Sequence, residues 1–166
     1  MPINETFIGE LQHAAATTRK FFERYPADQG DYQPHEKSMS LKRLASHVAE
    51  LITWVSVTLD HDELDFAKFD YKPMIAENSE QLIAMLDKNV NDAIDCLKRT
   101  DDAVFMQNWT MRQGEQIFLT MPKIAVLREF VMNHLVHHRA QLGVYYRLLN
   151  VPVPGSFGPT ADETNM

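Results

Sequence analysis

Apolar residues recur every three or four positions in four separate stretches of this 166-residue chain, and stripes of that period are buried only when each stretch is a helix packed on the others. The first stretch carries Phe7, Ile8, Leu11, Ala14, Ala15, Thr18, Phe21, Phe22 and Tyr25. Pro26 ends it, because proline disfavours helical geometry in the residue before it. Pro26, Gly30, Asp31 and Pro34 then break 26–39 into a connection. The second helix is predicted to start at Ser40, a good N-cap residue, and to present Leu41, Leu44, Val48, Leu51, Ile52, Val55 and Leu59. The acidic stretch from Asp60 to Pro73 cannot continue that stripe and reads as a loop.

Asn78 and Gln81 have the spacing of a capping box at the start of a third helix, which runs through Leu82, Ile83, Leu86, Val90, Ala93 and Leu97. Between 101 and 121 the pattern changes. Ala103–Trp109 and Glu115–Thr120 are short, rich in β-branched and aromatic residues, and separated by a polar segment with Gly114, which predicts a small hairpin. Pro122 suits the first turn of a fourth helix, predicted over Lys123–Leu149. The tail from 150 to 166 holds three prolines and two glycines and is expected to be irregular, with Phe157 pinning part of it to the bundle. One domain over 1–166, all-α and built as a four-helix bundle, follows from these stretches.

Composition narrows the function classes. Sixteen basic against 23 acidic side chains leave a formal charge of −7, and no basic stripe is present to neutralise phosphates, so a nucleic-acid partner is not expected. No apolar run approaches the roughly 18–20 residues needed to cross a bilayer, so no membrane partner is expected. The N-terminal residues lack a basic start followed by an apolar block, and the single cysteine, Cys96, cannot form an internal disulfide. A cytoplasmic location is expected from both.

The chemistry sits in the histidines. On a wheel of about 100° per residue, Ile124, Leu127, Val131, Leu135, Leu142, Tyr145 and Leu149 share one arc of the fourth helix. His138 lies inside that arc and His134 toward its edge, whereas His137 points off by roughly 60°. Two imidazoles four residues apart reach a common ion, and unpaired buried polar rings are costly. The H-x-x-x-H pattern alone is a weak motif, and Leu135 stands where a metalloprotease carries glutamate, so hydrogen-bonded core histidines and metal ligands both remain open on this pair. His47, on the flank of the second helix, would complete a three-imidazole set. His13, His35 and His61 fall off the stripes or in loops. Glu50, three residues after His47, reads as a solvated-face residue. Trp54 and Tyr145 read as core, and Arg139 as surface.

The segments SMSLKRLASHVAELITW and NHLVHHRAQLGVYYRLL, with the ending VPVPGSFGPTADE, resemble the DinB-like superfamily of bacterial four-helix-bundle metalloproteins over nearly the whole chain. The resemblance implies a bundle with a long crossover connection. It also implies one divalent cation, commonly zinc or nickel, on three histidines that match His47, His134 and His138, and often a homodimer. Three neutral histidines with an open coordination position suit a catalytic ion. Such an ion can make hydroxide from water or bind the thiolate of a low-molecular-weight thiol. Similarity to bacillithiol-dependent S-transferases and the mycothiol-dependent maleylpyruvate isomerase puts thiol transfer ahead of hydrolysis. A non-catalytic metal-binding stress-response module is the reading from another class.

Overall fold

The computed structural model describes residues 2–69 and 71–164; Met1, Asp70, Asn165 and Met166 lie outside it, the last two in the segment expected to be irregular. Helix α1 spans Ile3–Phe22. The second stretch folds as α2 (Leu41–Glu50), a 3₁₀ turn at Leu51–Thr53, and α3 (Trp54–Leu59). Its start is set by Ser40, whose hydroxyl accepts from the Arg43 backbone N–H at 3.3 Å. Helix α4 spans Ser79–Lys98, and Asn78 caps it by accepting from Gln81 N–H at 2.9 Å. The Gln81 side chain reaches back to the N–H of Glu77, one residue before the cap.

The fourth rod is continuous from 123 to 148 but not uniform. Helix α6 (Lys123–Val126) passes into a π-helical stretch, Leu127–Asn133, and then into α7 (His134–Leu148). A π turn takes an extra residue, so bearings on either side of it depart from straight-helix arithmetic. Leu127, Val131, Leu135, His138, Leu142 and Tyr145 are buried as expected, yet Ile124 is only half-buried while Lys123 and Val126 are buried.

The rods pack in the ring order α1, α4, α2, α7, so that α1 lies diagonal to α2. Asp60 pairs with Arg99 just past the end of α4, so the 60–78 connection runs the length of the bundle to reach the start of α4 at Ser79. One core of aliphatic and aromatic side chains, from Phe7 and Leu11 to Leu142 and Tyr146, runs through all four. The one-turn helix α5 (Asp102–Phe105) is a fifth helical body, and its Phe105 stacks on Phe7 with ring centroids 5.9 Å apart.

The bundle is mostly helical as expected, and the expected hairpin forms between the third and fourth rods, but a third strand extends it into a small sheet. Strand β2 (Asn108–Gln113) pairs antiparallel with β3 (Gln116–Pro122), and β1 (Glu63–Asp65) adds to β2 in parallel. The hairpin therefore starts later than Ala103, because 102–105 is drawn into helix by packing Phe105 in the core. Strand β1 falls inside the stretch read as loop. Three residues, two of them acidic, carry no alternation of their own, and only the edge of β2 makes them a strand. Trp109, Leu64 and Val126 form a second small core beneath the sheet, joined to the main bundle through Trp54. No helix among the described residues is long and apolar enough to cross a membrane.

The tail is irregular as expected but firmly tied. Asp162 pairs with Arg147 and accepts from Val153 N–H, while Glu163 pairs with Arg24 and accepts from Gly155 N–H. Phe157 is not buried by this arrangement; it remains 75% exposed.

Candidate metal centre

His47 comes from the middle of α2, and His134 and His138 from the first two turns of α7, the helix that packs beside it. Each offers one ring nitrogen, and these three atoms lie within 4.8 Å of one another. The ring centroids of His47 stand 5.4 Å from His134 and 4.7 Å from His138. Nε2 of His134 and Nε2 of His138 are 2.8 Å apart.

That short contact has a chemical meaning. A neutral imidazole carries one N–H and one lone pair. His138 uses its N–H on Nδ1, which donates to Gln141 Oε1 at 2.7 Å. His134 donates to the Phe130 backbone carbonyl, four residues back in the π-helical stretch. Both Nε2 atoms are then bare lone pairs facing each other, which repel unless a cation lies between them. Burial, with the neighbouring histidines, pushes His134 down and His138 down to about 4 against the lift from Gln141, so a proton does not fill that role near neutral pH. A divalent ion with bonds of about 2.0–2.1 Å accepts three such nitrogens at separations of roughly 3–3.5 Å. The donor set fits the group, with adjustments below an ångström for the His134–His138 pair.

The third ring is held differently. His47 Nδ1 is buried and finds no hydrogen-bond partner among the described residues, but Glu50 Oε2 stands 3.6 Å away. Glu50 corrects the solvated-face reading. Its carboxylate accepts from Arg43 Nη1 at 2.9 Å, from Tyr71 OH at 3.0 Å and from the Met74 backbone N–H. Burial alone would raise its pKa, but His47, the Met74 amide and Arg43 together outweigh burial and hold it at about 2. An anion fixed beside the outer nitrogen of a histidine orients the ring and strengthens it as a ligand. Helical wheels place Glu50 away from the apolar centre of α2; the crossover, folding back with Tyr71 and Met74, covers it.

Gln141 was likewise missed as a supporting residue, although its i+3 spacing from His138 is a readable signal. Arg139 corrects the surface reading: it is buried against α1, where Nη1 donates to Ala14 O and Thr18 Oγ1. Tyr145 is core as expected, with its hydroxyl on Met39 O. His13, His35 and His61 are exposed and outside the cluster; so is His137, despite a ring 4.8 Å from His138.

A cavity of about 480 Å³ opens beside the cluster at His47. Trp54, Val57, Leu64, Phe66 and Phe69 supply its apolar walls, and Glu50, Arg43, Tyr71 and Lys72 its polar margin.

Comparison with known proteins agrees with this architecture. A DinB-like protein of Bacillus subtilis superposes with a TM-score of 0.69 at 15% identity, over 97% of this chain and 99% of that one. A DinB-like protein of Bacillus cereus gives 0.68 at 21% identity, over 92% and 97%. No curated protein matches the chain. The model of the DinB family matches residues 1–164, and with four packed helical rods and a histidine from α2 facing two from α7, the chain belongs to the DinB family.

Proposed function

We propose that the chain is a metal-dependent S-transferase: His47, His134 and His138 hold one divalent ion, zinc or nickel, and a low-molecular-weight thiol reacts there with an electrophile seated in the adjoining cavity. The observation that carries the metal is the pair of bare Nε2 atoms 2.8 Å apart, each committed to that tautomer by a partner on its other side. Bound there, the ion supplies a Lewis acid that keeps the thiol ionised at neutral pH. Glu50 and Gln141 orient His47 and His138. Trp54, Phe66 and Phe69 exclude water and hold an apolar electrophile beside His47. The thiolate sulfur forms a bond to the electrophilic carbon, and the leaving group departs with the electron pair of the bond it breaks.

Hydrolysis stands second for a reason visible in the cavity. Glu50 is the one carboxylate among its described lining residues; held at about 2 with its oxygens occupied, it has no proton to give a leaving group. Displacement by a metal-activated thiolate needs no such donor.

Protein purified without a polyhistidine tag is expected to carry about one zinc or nickel ion per chain by elemental analysis, and His138→Ala to carry none. The metal-loaded protein is then given a panel of small thiols with chlorodinitrobenzene, and thioether formation is followed by absorbance. Metal-dependent turnover with at least one thiol is the expected result. Full metal content without turnover on any thiol would leave a binding module, and no metal would remove the site.

A further inference from the structure

We infer that the pocket between α1 and α7 around Arg139 is a second binding site, which takes the carboxylate of a small monoanion with an apolar body. Arg139 lies on the face of α7 that packs against α1, so this site is separate from the histidine cluster, which faces α2. Its side chain is only 3% exposed. Nη1 is satisfied by Ala14 O at 3.0 Å and Thr18 Oγ1 at 3.2 Å. Among the described residues no carboxylate pairs with the guanidinium, whose bonds to α1 leave from Nη1, and neither Nε nor Nη2 is a sealed-in atom without a partner. Buried charges are normally paired, because an unpaired one loses its hydration without compensation. A guanidinium also presents its donors as a planar fork that fits a carboxylate edge-on.

The space for such a partner is present. Arg139 lines a pocket of about 440 Å³ together with Met132, Val136 and Phe157 on its apolar side and Arg128 and Glu10 on its polar side. Arg128 and Glu10 pair at 2.7 Å and cancel, which leaves one uncompensated positive charge, that of Arg139. One net charge calls for a monoanion, and the fork favours a carboxylate. Phe157 stands with its ring centroid 5.7 Å from the guanidinium carbon, exposed, on a tail segment whose far end is tied down through Asp162 and Glu163. An aromatic ring held over a cation and otherwise facing solvent offers a surface against which a flat apolar ligand stacks.

The test is isothermal titration calorimetry on the metal-loaded full chain, with benzoate as probe and benzamide as its uncharged counterpart. Saturable benzoate binding is expected, weaker by about tenfold or more for benzamide, because charge-assisted hydrogen bonds to Arg139 are lost. Arg139→Gln removes the fork but also disturbs its bonds to α1, so two further variants are read beside it. Val136→Asp places a negative charge at the pocket wall and leaves Arg139 in position; it is expected to weaken benzoate by about tenfold or more. Phe157→Ala is expected to weaken it several-fold. Three results would overturn the proposal: benzamide binding as well as benzoate, inorganic phosphate binding where benzoate does not, or benzoate binding that survives Val136→Asp and disappears with His138→Ala. The last would put the carboxylate at the metal instead.

Discussion

Replacing Glu50 by glutamine removes one charge and almost no volume, and the structure gives the cost. The carboxylate accepts from the Arg43 guanidinium, the Tyr71 hydroxyl and the Met74 amide, and faces His47 Nδ1 at 3.6 Å. Its pKa falls from 4.5 to about 2, with burial working against the change and the donors outweighing burial. At about 1.36 kcal/mol per decade of acidity, that drop sets a ceiling of about 3.4 kcal/mol on its contribution to stability. The group borders an open cavity and its contact with His47 is long, so solvent screening reduces the figure to about 2 kcal/mol. Because the folded pKa lies below the unfolded one, this stability is fully present above pH 4.5 and is lost as the pH falls toward 2. Glu50→Gln also turns an amide N–H₂ toward groups that are all donors. Urea denaturation from pH 7 down to pH 3 is therefore expected to show the variant about 2 kcal/mol less stable at neutrality, with the gap narrowing below pH 5. Metal affinity is expected to fall by about 10–100-fold as His47 loses its orienting anion. Equal stabilities at pH 7, or a gap that does not change with pH, would refute the reasoning.

His138 loses stability in the same direction of pH but from the opposite cause, since burial disfavours its charged form. In metal-free protein, burial holds its pKa at about 4 against an ordinary 6.5, so between those values the unfolded chain takes up a proton that the folded one refuses, and stability falls as the pH is lowered through that window. Replacing His138 with Gln is expected to remove on the order of 2 kcal/mol of that pH dependence, measured by denaturation at pH 7 and pH 4.5. Leu82→Ala, at a fully buried position of α4, which supplies no ligand, should cost about 3 kcal/mol in denaturant titration while leaving metal content unchanged. Gly114→Ala should cost about 1 kcal/mol, since φ there is +57° and an added Cβ would meet nothing; the cost is that of the backbone conformation alone, and unaltered stability would contradict it.

The histidine spacing H-x-x-x-H and the flank position of His47 on α2 were legible in one dimension, because both are properties of a helix wheel. Their supporting groups were legible only in part. Gln141 sits one turn from His138 and follows from the same periodicity. Glu50 sits one turn from His47, but its burial depends on Tyr71 and Met74 folding back from the crossover, some twenty residues away in sequence. The Phe130 carbonyl that holds His134 belongs to a π-helical stretch, and nothing in a regular repeat announces where a helix takes its extra residue.

Local patterns by themselves determined the four rods, their caps at Ser40 and Asn78, the irregular tail and the candidate ligands, since each depends on neighbours within one or two turns. Tertiary structure decided the rest: the pairing of Glu63–Asp65 with β2, the helical turn at 102–105, the burial of Arg139 against α1 and the convergence of rings from α2 and α7. The physical reason is the same in each case. A charged or ambiguous residue takes its conformation and its ionisation from the surface that packs on it, and that surface comes from a distant part of the chain.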